Sequence, residues 1–307
     1  MRIVFIGTAS FARPALTALA DRHDVVLVVT QPDRPVGRHA KLTAPPVKTE
    51  AERLGLEVFQ PERINREESV ERLRGAGAEV FVVAAYGQLL KAEVFEMPPC
   101  GTINIHASLL PAYRGGAPIN WAIIHGETTT GISTFYIEAG MDTGDVLLLR
   151  DLEIDRNETA GELEPRLAAL GAEAILETLD GLERGDLEAV PQPEEGVSMA
   201  PLMSRDTGLI DWATPAQRIH DLVRGTNPWP GAWTTLDGER VKVHRTALTD
   251  IDRGPLAPGA IGPRESERLL VAAGDRLIEI LDVQRAGKPR VAGPQFLHGL
   301  HGETAFG

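Results

Sequence analysis

The sequence predicts an α/β protein in which a Rossmann-like, mostly parallel sheet with helices on both faces precedes a small antiparallel, OB-like β-barrel. Three observations predict this fold. Short runs rich in Val and Ile alternate with helix-like stretches in the first half. A stretch without periodicity follows, and beyond it turn dipeptides separate alternating apolar and polar runs. With 307 residues the chain is long enough for two cores.

The first half should contain six strands and three helices. Continuous runs of Val and Ile suit strands that are buried on both faces of a parallel sheet. We predict strands at 2–6, 25–30, 79–84, 102–106, 131–138 and 146–154, and helices at 11–20, 46–54 and about 159–182. Ser10 precedes the first helix and is its predicted N-cap.

Residues 185–208 divide the sequence into two predicted domains. This stretch is rich in Pro, Glu and Gly and has no sustained apolar period, which is typical of a linker. The charge also changes here, because residues 1–205 carry a formal charge of −12 and residues 206–307 carry −1. We therefore predict a first domain at 1–184, a linker at 185–208 and a second domain at 209–307.

The second domain should begin with one helix and continue as the antiparallel barrel. Thr214 is the predicted N-cap, Pro215 is the predicted first helical residue, and Gly225 ends the helix. Two turn pairs then separate alternating runs, which indicates β-hairpins. These pairs are Asp237-Gly238 and Gly274-Asp275.

Composition excludes several classes of protein. A formal net charge of −13 argues against a general nucleic-acid coat protein, since phosphate binding requires clustered Lys and Arg. The single cysteine, Cys100, excludes an intrachain disulfide and is typical of a reducing compartment. The apolar runs are far shorter than the ~20 residues of a membrane helix. Since the N-terminus also lacks a secretory leader, we expect a cytoplasmic protein.

The segment 104–111 carries the clearest chemical signal. It lies at the end of a predicted central strand, and open parallel sheets bind ligands beyond the carboxyl ends of their strands. Asn104 and His106 alternate along this strand, so their side chains should share one face. An amide and an imidazole together can stabilise an oxyanion and transfer a proton. Taken alone, the pair is explained better as a hydrogen-bonded histidine at a strand end.

Five further segments change the interpretation of this pair. In chain order the six segments are FIGT at 5–8, QPDRPVGR at 31–38, NIHASLLP at 104–111, YRG at 113–115 with Pro118, GMDTGD at 140–145 and NPWPG at 227–231. Together they resemble the methionyl-tRNA formyltransferase family, whose members use 10-formyltetrahydrofolate. The resemblance extends from residue 2 to about residue 287. Any one segment could arise by chance, but all six in the family's order are specific.

The resemblance implies a catalytic trio of Asn104, His106 and Asp142. In this family the α-amine of methionine on the initiator tRNA attacks the formyl carbon of the folate, and the tetrahedral intermediate carries an oxyanion. Asn104 and a protonated His106 would hydrogen-bond that oxygen, while Asp142 would orient His106 and help to relay the amine proton. Without the resemblance, Asp142 is explained better as a turn residue between two glycines.

The resemblance also implies where the folate binds. Its contacts would be Ser108, Leu109, Leu110, Pro111, Tyr86, Gly87, Gln88, Leu89 and Leu90. Leu109 and Leu110 could also simply fill the core, and both interpretations partly hold because a pterin pocket needs apolar walls. The formyl donor is already activated, so no metal is expected.

A basic stretch is the predicted tRNA contact. Residues 31–48 carry a charge of +3, which is the footprint expected where a phosphate backbone approaches, and their Pro and Gly residues predict a loop. By charge alone, a solvated loop is equally consistent. The resemblance implies that this loop meets the acceptor arm, with Arg34, Arg38, Lys41 and Arg114 as predicted tRNA contacts. A second contact is predicted in the barrel, at Arg240, Lys242, Arg245, Arg285, Lys288 and Arg290.

Other functions remain as alternatives. A formyltransferase acting on an amino sugar nucleotide would use the same trio with a different acceptor, and a noncatalytic tRNA-binding module could share the scaffold. The basic stretch favours tRNA, and the intact trio favours catalysis. A nicotinamide enzyme lacks support because G-x-G-x-x-G is absent after Gly7, and a serine hydrolase because G-x-S-x-G is absent. We expect a monomeric transferase whose partners are initiator tRNA and folate, without a membrane or protein partner.

Overall fold

The chain forms two compact units in a computed structural model that describes residues 1–36, 40–263, 267–300 and 305–307. The first unit comprises Met1–Gly115, Thr130–Leu152 and Glu164–Met199. The second comprises Gly116–Thr129, Glu153–Leu163 and Ala200–Gly307. No helix in the described ranges is both long and apolar enough to cross a membrane.

Strands and helices alternate through the first two thirds of the chain. In chain order they are β1 (Arg2–Gly7), α1 (Arg13–Arg22), β2 (Asp24–Val29), β3 (Arg34–Val36), β4 (Lys41–Thr43), α2 (Pro46–Arg53), β5 (Val58–Phe59), α3 (Glu67–Gly75), β6 (Val80–Ala84), α4 (Ala92–Phe95), β7 (Thr102–His106), α5 (Pro118–Ile124), β8 (Thr129–Tyr136), β9 (Val146–Glu153) and α6 (Ala160–Arg184).

Seven of these strands form one mostly parallel sheet in the first unit. Their order is β5-β2-β1-β6-β7-β8-β9. The strands from β5 to β7 run parallel, and β8 is antiparallel to β7. Because β1 and β6 are buried along nearly their whole length, both faces of the sheet centre are covered. The predicted Rossmann-like sheet is therefore confirmed.

The carboxyl ends of the parallel strands meet at one edge of this sheet. Three predicted site segments leave the sheet there: residues 31–48 after β2, residues 86–90 after β6 and residues 107–113 after β7. Ligands of open α/β sheets bind at this edge. The fold therefore brings together segments that lie far apart along the chain.

The first helix begins later than predicted. Ser10–Ala12 form a 3₁₀ turn, α1 begins at Arg13, and its N-cap is Ala12 without a side-chain hydrogen bond. Ser10 is therefore not the N-cap. Phe11 and Ala12 are buried within the 3₁₀ turn, and Pro14 suits the first turn of the α-helix, so burial and proline set the start.

The second unit contains an antiparallel sheet and two further helices. Its later elements are α7 (Ala216–Gly225), β10 (Ala232–Leu236), β11 (Glu239–Asp252), β12 (Leu270–Ala272), β13 (Arg276–Arg285), β14 (Val291–Ala292) and α8 (Gly293–His298). The strand order is β10-β11-β13-β12, with β14 also paired to β13. Register shifts between β11 and β13 bend the long strand. The predicted barrel is a curled, five-stranded half-barrel.

The two predicted hairpins are confirmed. Asp237 and Gly238 join β10 to β11 with φ values of 53° and 79°, which is the backbone of a type I′ turn. Gly274 and Asp275 lie in the turn between β12 and β13. Apolar residues of α7, β10, β11, β13 and α8 fill the core beneath this sheet.

A distant carboxylate, and not the predicted Thr214, caps helix α7. The helix begins at Ala216 with Pro215 as its N-cap residue, and it ends at Gly225 as predicted. The hydroxyl of Thr214 donates to the carbonyl oxygen of Asp211 at 2.7 Å. Asp275 Oδ1 instead accepts the N–H of Ala216 at 2.7 Å. The predicted N-cap was wrong, because the β12–β13 turn and not Thr214 supplies the side-chain acceptor for the first N–H of the helix.

Candidate active site

Asn104 and His106 lie on β7, whose neighbours in the sheet are β6 and β8. Residues two apart along a strand share a face, so both side chains stand on the same side of the sheet. His106 is buried, and Asn104 is half-buried. Among the described residues the Asn104 amide has no hydrogen-bond partner, so its N–H groups can serve a ligand.

His106 lies between a backbone carbonyl and a carboxylate. Its Nε2 donates to the Tyr113 carbonyl oxygen at 2.9 Å, and its Nδ1 lies 3.7 Å from Asp142 Oδ2. Since a carbonyl oxygen can only accept, Nε2 carries a proton, and Nδ1 is the ring nitrogen that faces the carboxylate. The Phe135 ring meets the imidazole edge-on, with 6.2 Å between centroids. The structure thus brings together residues that the sequence separates widely.

Asp142 is held at both its side chain and its backbone. Its φ of +54° lies in the left-handed region, which Asp enters more readily than most residues. The N–H of Gly115 donates to Asp142 Oδ2 at 2.7 Å. The amide nitrogen of Gln192 donates to the carbonyl oxygens of Asp142 and Gly144, both at 2.8 Å. These contacts fix the carboxylate in front of the imidazole.

The loop after β7 is bonded tightly to β8. Ser133 Oγ donates to the Ser108 carbonyl oxygen at 2.6 Å and accepts the N–H of Leu110 at 2.9 Å. Ser108 Oγ in turn donates to the carbonyl oxygen of Ala112 at 2.7 Å. Ser108 and Leu110 are buried. Leu109 and Pro111 are half-buried, so the rigid loop keeps partly uncovered apolar side chains.

Residues 86–90 extend from the carboxyl end of β6. The Tyr86 carbonyl oxygen accepts hydrogen bonds from Thr8 Oγ1 at 2.9 Å and from Gln31 Nε2 at 3.2 Å. The segment is thereby tied to the ends of β1 and β2. Leu89 is 77% exposed, so this segment presents an apolar side chain to solvent.

The other side chains of this segment differ in their surroundings. Tyr86 is buried, its hydroxyl has no hydrogen-bond partner among the described residues, and burial raises the pKa of that hydroxyl. Gly87 has a φ of 87°, a conformation that favours glycine. Gln88 accepts the N–H of Ile64 at 3.0 Å, and Leu90 is half-buried.

The basic stretch is a hairpin and not the predicted loop. β3 and β4 pair antiparallel, and α2 begins at Pro46. Arg34 forms an ion pair with Glu62 at 2.6 Å, and Lys48 forms one with Asp33 at 2.9 Å. Hydrogen bonds from Gln60 and Lys48 lower the pKa of Asp33. Lys41 is exposed, and Arg38 lies outside the described residues.

Arg114 contacts Gln192, the residue that bonds the Asp142 loop. Its Nε and Nη2 groups donate to Gln192 Oε1 at 3.1 and 2.7 Å. The guanidinium is half-buried, and its Nη1 is the nitrogen with no bond to Gln192. The predicted tRNA contact therefore also supports the residue that holds Asp142.

Comparison with known proteins assigns the family. A model described as formyl transferase matches residues 1–179, and a model of the formyl transferase C-terminal domain matches residues 202–301. Proteins named methionyl-tRNA formyltransferase from Solibacter usitatus and Acetivibrio thermocellus are 47% and 46% identical over 300 residues, which cover 97% of this chain and 96% of each relative. The chain belongs to the methionyl-tRNA formyltransferase family. The predicted resemblance is confirmed.

Solved structures share the fold of this family member at low identity. WlaRD, a sugar 3N-formyl transferase determined with dTDP and 5-N-formyl-THF, is 16% identical with a TM-score of 0.69, covering 94% of this chain and 99% of that chain. HypX from Aquifex aeolicus in complex with tetrahydrofolic acid is 19% identical with a TM-score of 0.64, covering 97% and 47%. Both comparisons support the two-part architecture.

The six predicted tRNA-contacting cations of the second unit fall into three groups. Arg245 pairs with Glu162 and Arg290 with Asp282, so their charges are neutralised locally. Arg240 stacks over the Trp233 ring at 3.9 Å, and Arg285 lies 5.1 Å from the Phe296 ring centroid. Lys242 and Lys288 form no ion pair with any residue that the structure describes. A cleft of about 210 Å³ is lined in part by Arg285, Lys288 and Phe296.

Sequence reasoning missed the residues that support the family's trio. Ser133 and Ser198 bond the segment that follows His106, and Gln192 bonds the Asp142 loop, yet none of the three belongs to the six segments. Gln192 and Ser198 fall in the predicted linker, where composition gave no sign of a site. Within the described ranges, no group of three or more His, Cys, Asp or Glu side chains is placed to hold a metal ion.

Proposed function

We propose that this chain transfers the formyl group of 10-formyltetrahydrofolate to the α-amine of methionyl initiator tRNA, which yields N-formylmethionyl-tRNA for translation initiation. Formyltransferases of this family use that folate as donor, and similarity over nearly the full chain to methionyl-tRNA formyltransferases supports the acceptor. The observation that carries the proposal is the contact of His106 with Asp142 at 3.7 Å, on the ligand-binding edge of the sheet.

In the proposed reaction, the amine lone pair attacks the formyl carbon and the carbonyl π electrons move to oxygen. The Asn104 amide donates to this oxyanion. Because Nε2 of His106 is engaged by the Tyr113 carbonyl, Nδ1 is the nitrogen that serves the reaction. A proton on Nδ1 donates to the oxyanion, and the Asp142 carboxylate provides its counter-charge.

Collapse of the intermediate completes the transfer. The carbonyl re-forms, the bond between the formyl carbon and N10 of the folate breaks, and N10 takes up a proton. The amine loses one proton, which Asp142 and His106 relay. The products are formylated tRNA and tetrahydrofolate.

The donor folate is proposed to bind along the loop after β7 and the segment after β6. Leu109, Pro111 and Leu89 are incompletely buried and supply the apolar surface that a pterin ring requires. The backbone of these segments is fixed by Ser133 and Thr8, so the pocket walls are rigid before the ligand binds.

The tRNA is proposed to contact cations of both units. Lys41 on the β3–β4 hairpin is exposed, and Nη1 of Arg114 is the part of that side chain not bonded to Gln192. Arg34 must exchange its ion pair with Glu62 for a phosphate, which weakens its contribution. In the C-terminal sheet, Lys242, Arg285 and Lys288 are the proposed contacts.

We also propose that the protein acts as a cytoplasmic monomer, with domains at 1–184 and 209–307.

One acceptor assay tests this function. The purified chain is incubated with formyl-labelled 10-formyltetrahydrofolate and either methionyl initiator tRNA or an amino sugar nucleotide. We expect label on the tRNA alone. Label on the sugar nucleotide alone would establish the other acceptor class, and no turnover with either would favour a noncatalytic tRNA-binding module.

A further inference from the structure

Gln192 uses every hydrogen-bonding group of its side-chain amide within the first unit. Both hydrogens of Nε2 are donated, to the carbonyl oxygens of Asp142 and Gly144 at 2.8 Å. Oε1 accepts two hydrogen bonds from the Arg114 guanidinium, at 3.1 and 2.7 Å. Because a guanidinium can only donate and a carbonyl can only accept, this amide has one possible orientation.

Of the two carbonyls that Gln192 holds, one belongs to Asp142, the left-handed residue of the turn, and the other belongs to Gly144, two residues later. A left-handed non-glycine residue persists only when its surroundings fix it. A glutamate at 192 would set an oxygen against two carbonyl oxygens. A leucine would leave two carbonyls and the guanidinium unpaired in a half-buried place, where unpaired polar groups are costly.

The hydrogen bonds around Asp142 continue to His106. Tyr113 accepts from His106 Nε2, and Gly115 donates to Asp142 Oδ2 at 2.7 Å, so residues 113–115 contact both catalytic side chains. Ser198 anchors this segment by accepting the N–H of Tyr113 at its hydroxyl and the N–H of Arg114 at its carbonyl oxygen, each at 2.9 Å. Residues from the predicted linker therefore support the trio.

We propose that Gln192 is a positioning residue for formyl transfer: fixed by Arg114, it holds Asp142 in the left-handed conformation that turns its carboxylate toward Nδ1 of His106. This inference rests on the proposed function, because Gln192 acts through Asp142. It also gives Arg114 a structural part in the site in addition to any contact with tRNA.

The test compares Gln192→Leu and Gln192→Glu with Asn120→Leu in the full chain. Asn120 is the matched control, since its amide also donates to a backbone carbonyl, that of Gly225 at 2.8 Å, in the second unit. We expect kcat to fall roughly 10- to 100-fold for both Gln192 variants, as for residues that orient catalytic groups. The KM value for folate should stay within threefold, and Asn120→Leu should keep wild-type kcat.

A double-mutant cycle separates positioning from general structural damage. In an Asp142→Asn background, Gln192→Leu should lower kcat less than twofold, because the group that it positions is already altered. Equal fold-losses in both backgrounds, or wild-type kcat in Gln192→Leu, would overturn the inference while leaving the proposed function intact. Wild-type kcat in Asp142→Asn itself would instead overturn the proposed trio. If Gln192→Leu does not fold, the cycle is run with Gln192→Glu.

Discussion

Glu50 on helix α2 is a buried carboxylate whose neighbours lower its pKa. Arg53, Arg13 and Thr17 donate to it at 2.6, 2.9 and 2.9 Å, and its side chain is only 6% exposed. The hydrogen bonds from Arg53 and Arg13 lower the pKa of Glu50 to about 2, against an opposing effect of burial. The folded state therefore stabilises the ionised form of Glu50.

The lowered pKa of Glu50 predicts that the difference in stability between the wild type and Glu50→Gln depends on pH. The folded pKa is depressed, so the stabilisation is fully present above the unfolded value near 4.5 and is lost as pH falls toward about 2. Glu50→Gln should lower the free energy of unfolding by about 2 kcal/mol at pH 7. Urea unfolding at pH 7 to 3 should show the gap between wild type and variant closing below about pH 4.5. A gap that stays constant over this range would contradict the assignment, and Glu62→Gln, in an exposed pair, is the control.

At the scale of elements, local patterns predicted the strands that bury both faces. β1, β2 and β6 are mainly continuous apolar runs, so their sequence alone defines them, whereas β7 alternates polar and apolar residues. The N-cap of α7 could not be predicted, because its acceptor comes from Asp275, which is distant in sequence. The hairpin β3–β4 was missed for a related reason: its strands have three residues each, too short for a periodic signal.

The cap of α7 can be tested directly. Asp275→Ala removes the acceptor for the N–H of Ala216 and should destabilise the protein by about 1 kcal/mol, as loss of an N-cap does. Thr214→Ala removes only the bond to Asp211 and should cost less. Thermal or urea unfolding of the two variants measures the difference, and a larger cost for Thr214→Ala would restore the sequence-based N-cap.

The β3–β4 hairpin gives a second prediction at this scale. Lys41 is exposed, whereas Arg34 is paired with Glu62 at 2.6 Å. Lys41→Ala should therefore raise KM for methionyl-tRNA by about 3- to 10-fold, more than Arg34→Ala does, because one phosphate contact is lost without relief of an ion pair. Steady-state kinetics with tRNA and folate varied separately measure this. A raised KM for folate in Lys41→Ala would move the hairpin out of the tRNA site.

The candidate site was only partly accessible from sequence. Asn104 and His106 stand out because they are neighbours on one strand, but nothing local connects His106 to Asp142, and only the family resemblance paired them. Gln192 gave no signal, since its contacts with Asp142 and Arg114 cross wide gaps in the chain. Such contacts become visible only when the loops are folded onto one sheet edge.

At the scale of the whole molecule, a net charge of −13 must coexist with a polyanionic substrate. Several of the tRNA contacts predicted from the sequence are already neutralised, as Arg34 is by Glu62 and Arg290 by Asp282. The remaining cations are few and local. Binding should therefore depend on a small number of phosphate contacts, and specificity on the site itself.

Salt titration tests this electrostatic picture. With about two to four phosphates neutralised, the affinity for methionyl-tRNA should fall roughly 10- to 150-fold between 50 and 200 mM salt, because bound counterions are released. Folate affinity, measured in parallel, should change much less. An affinity for tRNA that does not depend on salt would show that phosphate contacts do not drive binding.

The most direct test of the catalytic assignment is the single-turnover rate of formyl transfer by Asn104→Ala with both substrates saturating. We predict a loss of roughly 150- to 900-fold, equivalent to about 3–4 kcal/mol of transition-state stabilisation, with little change in the affinity for folate or tRNA. A rate within threefold of wild type would contradict the role of Asn104 as an oxyanion donor.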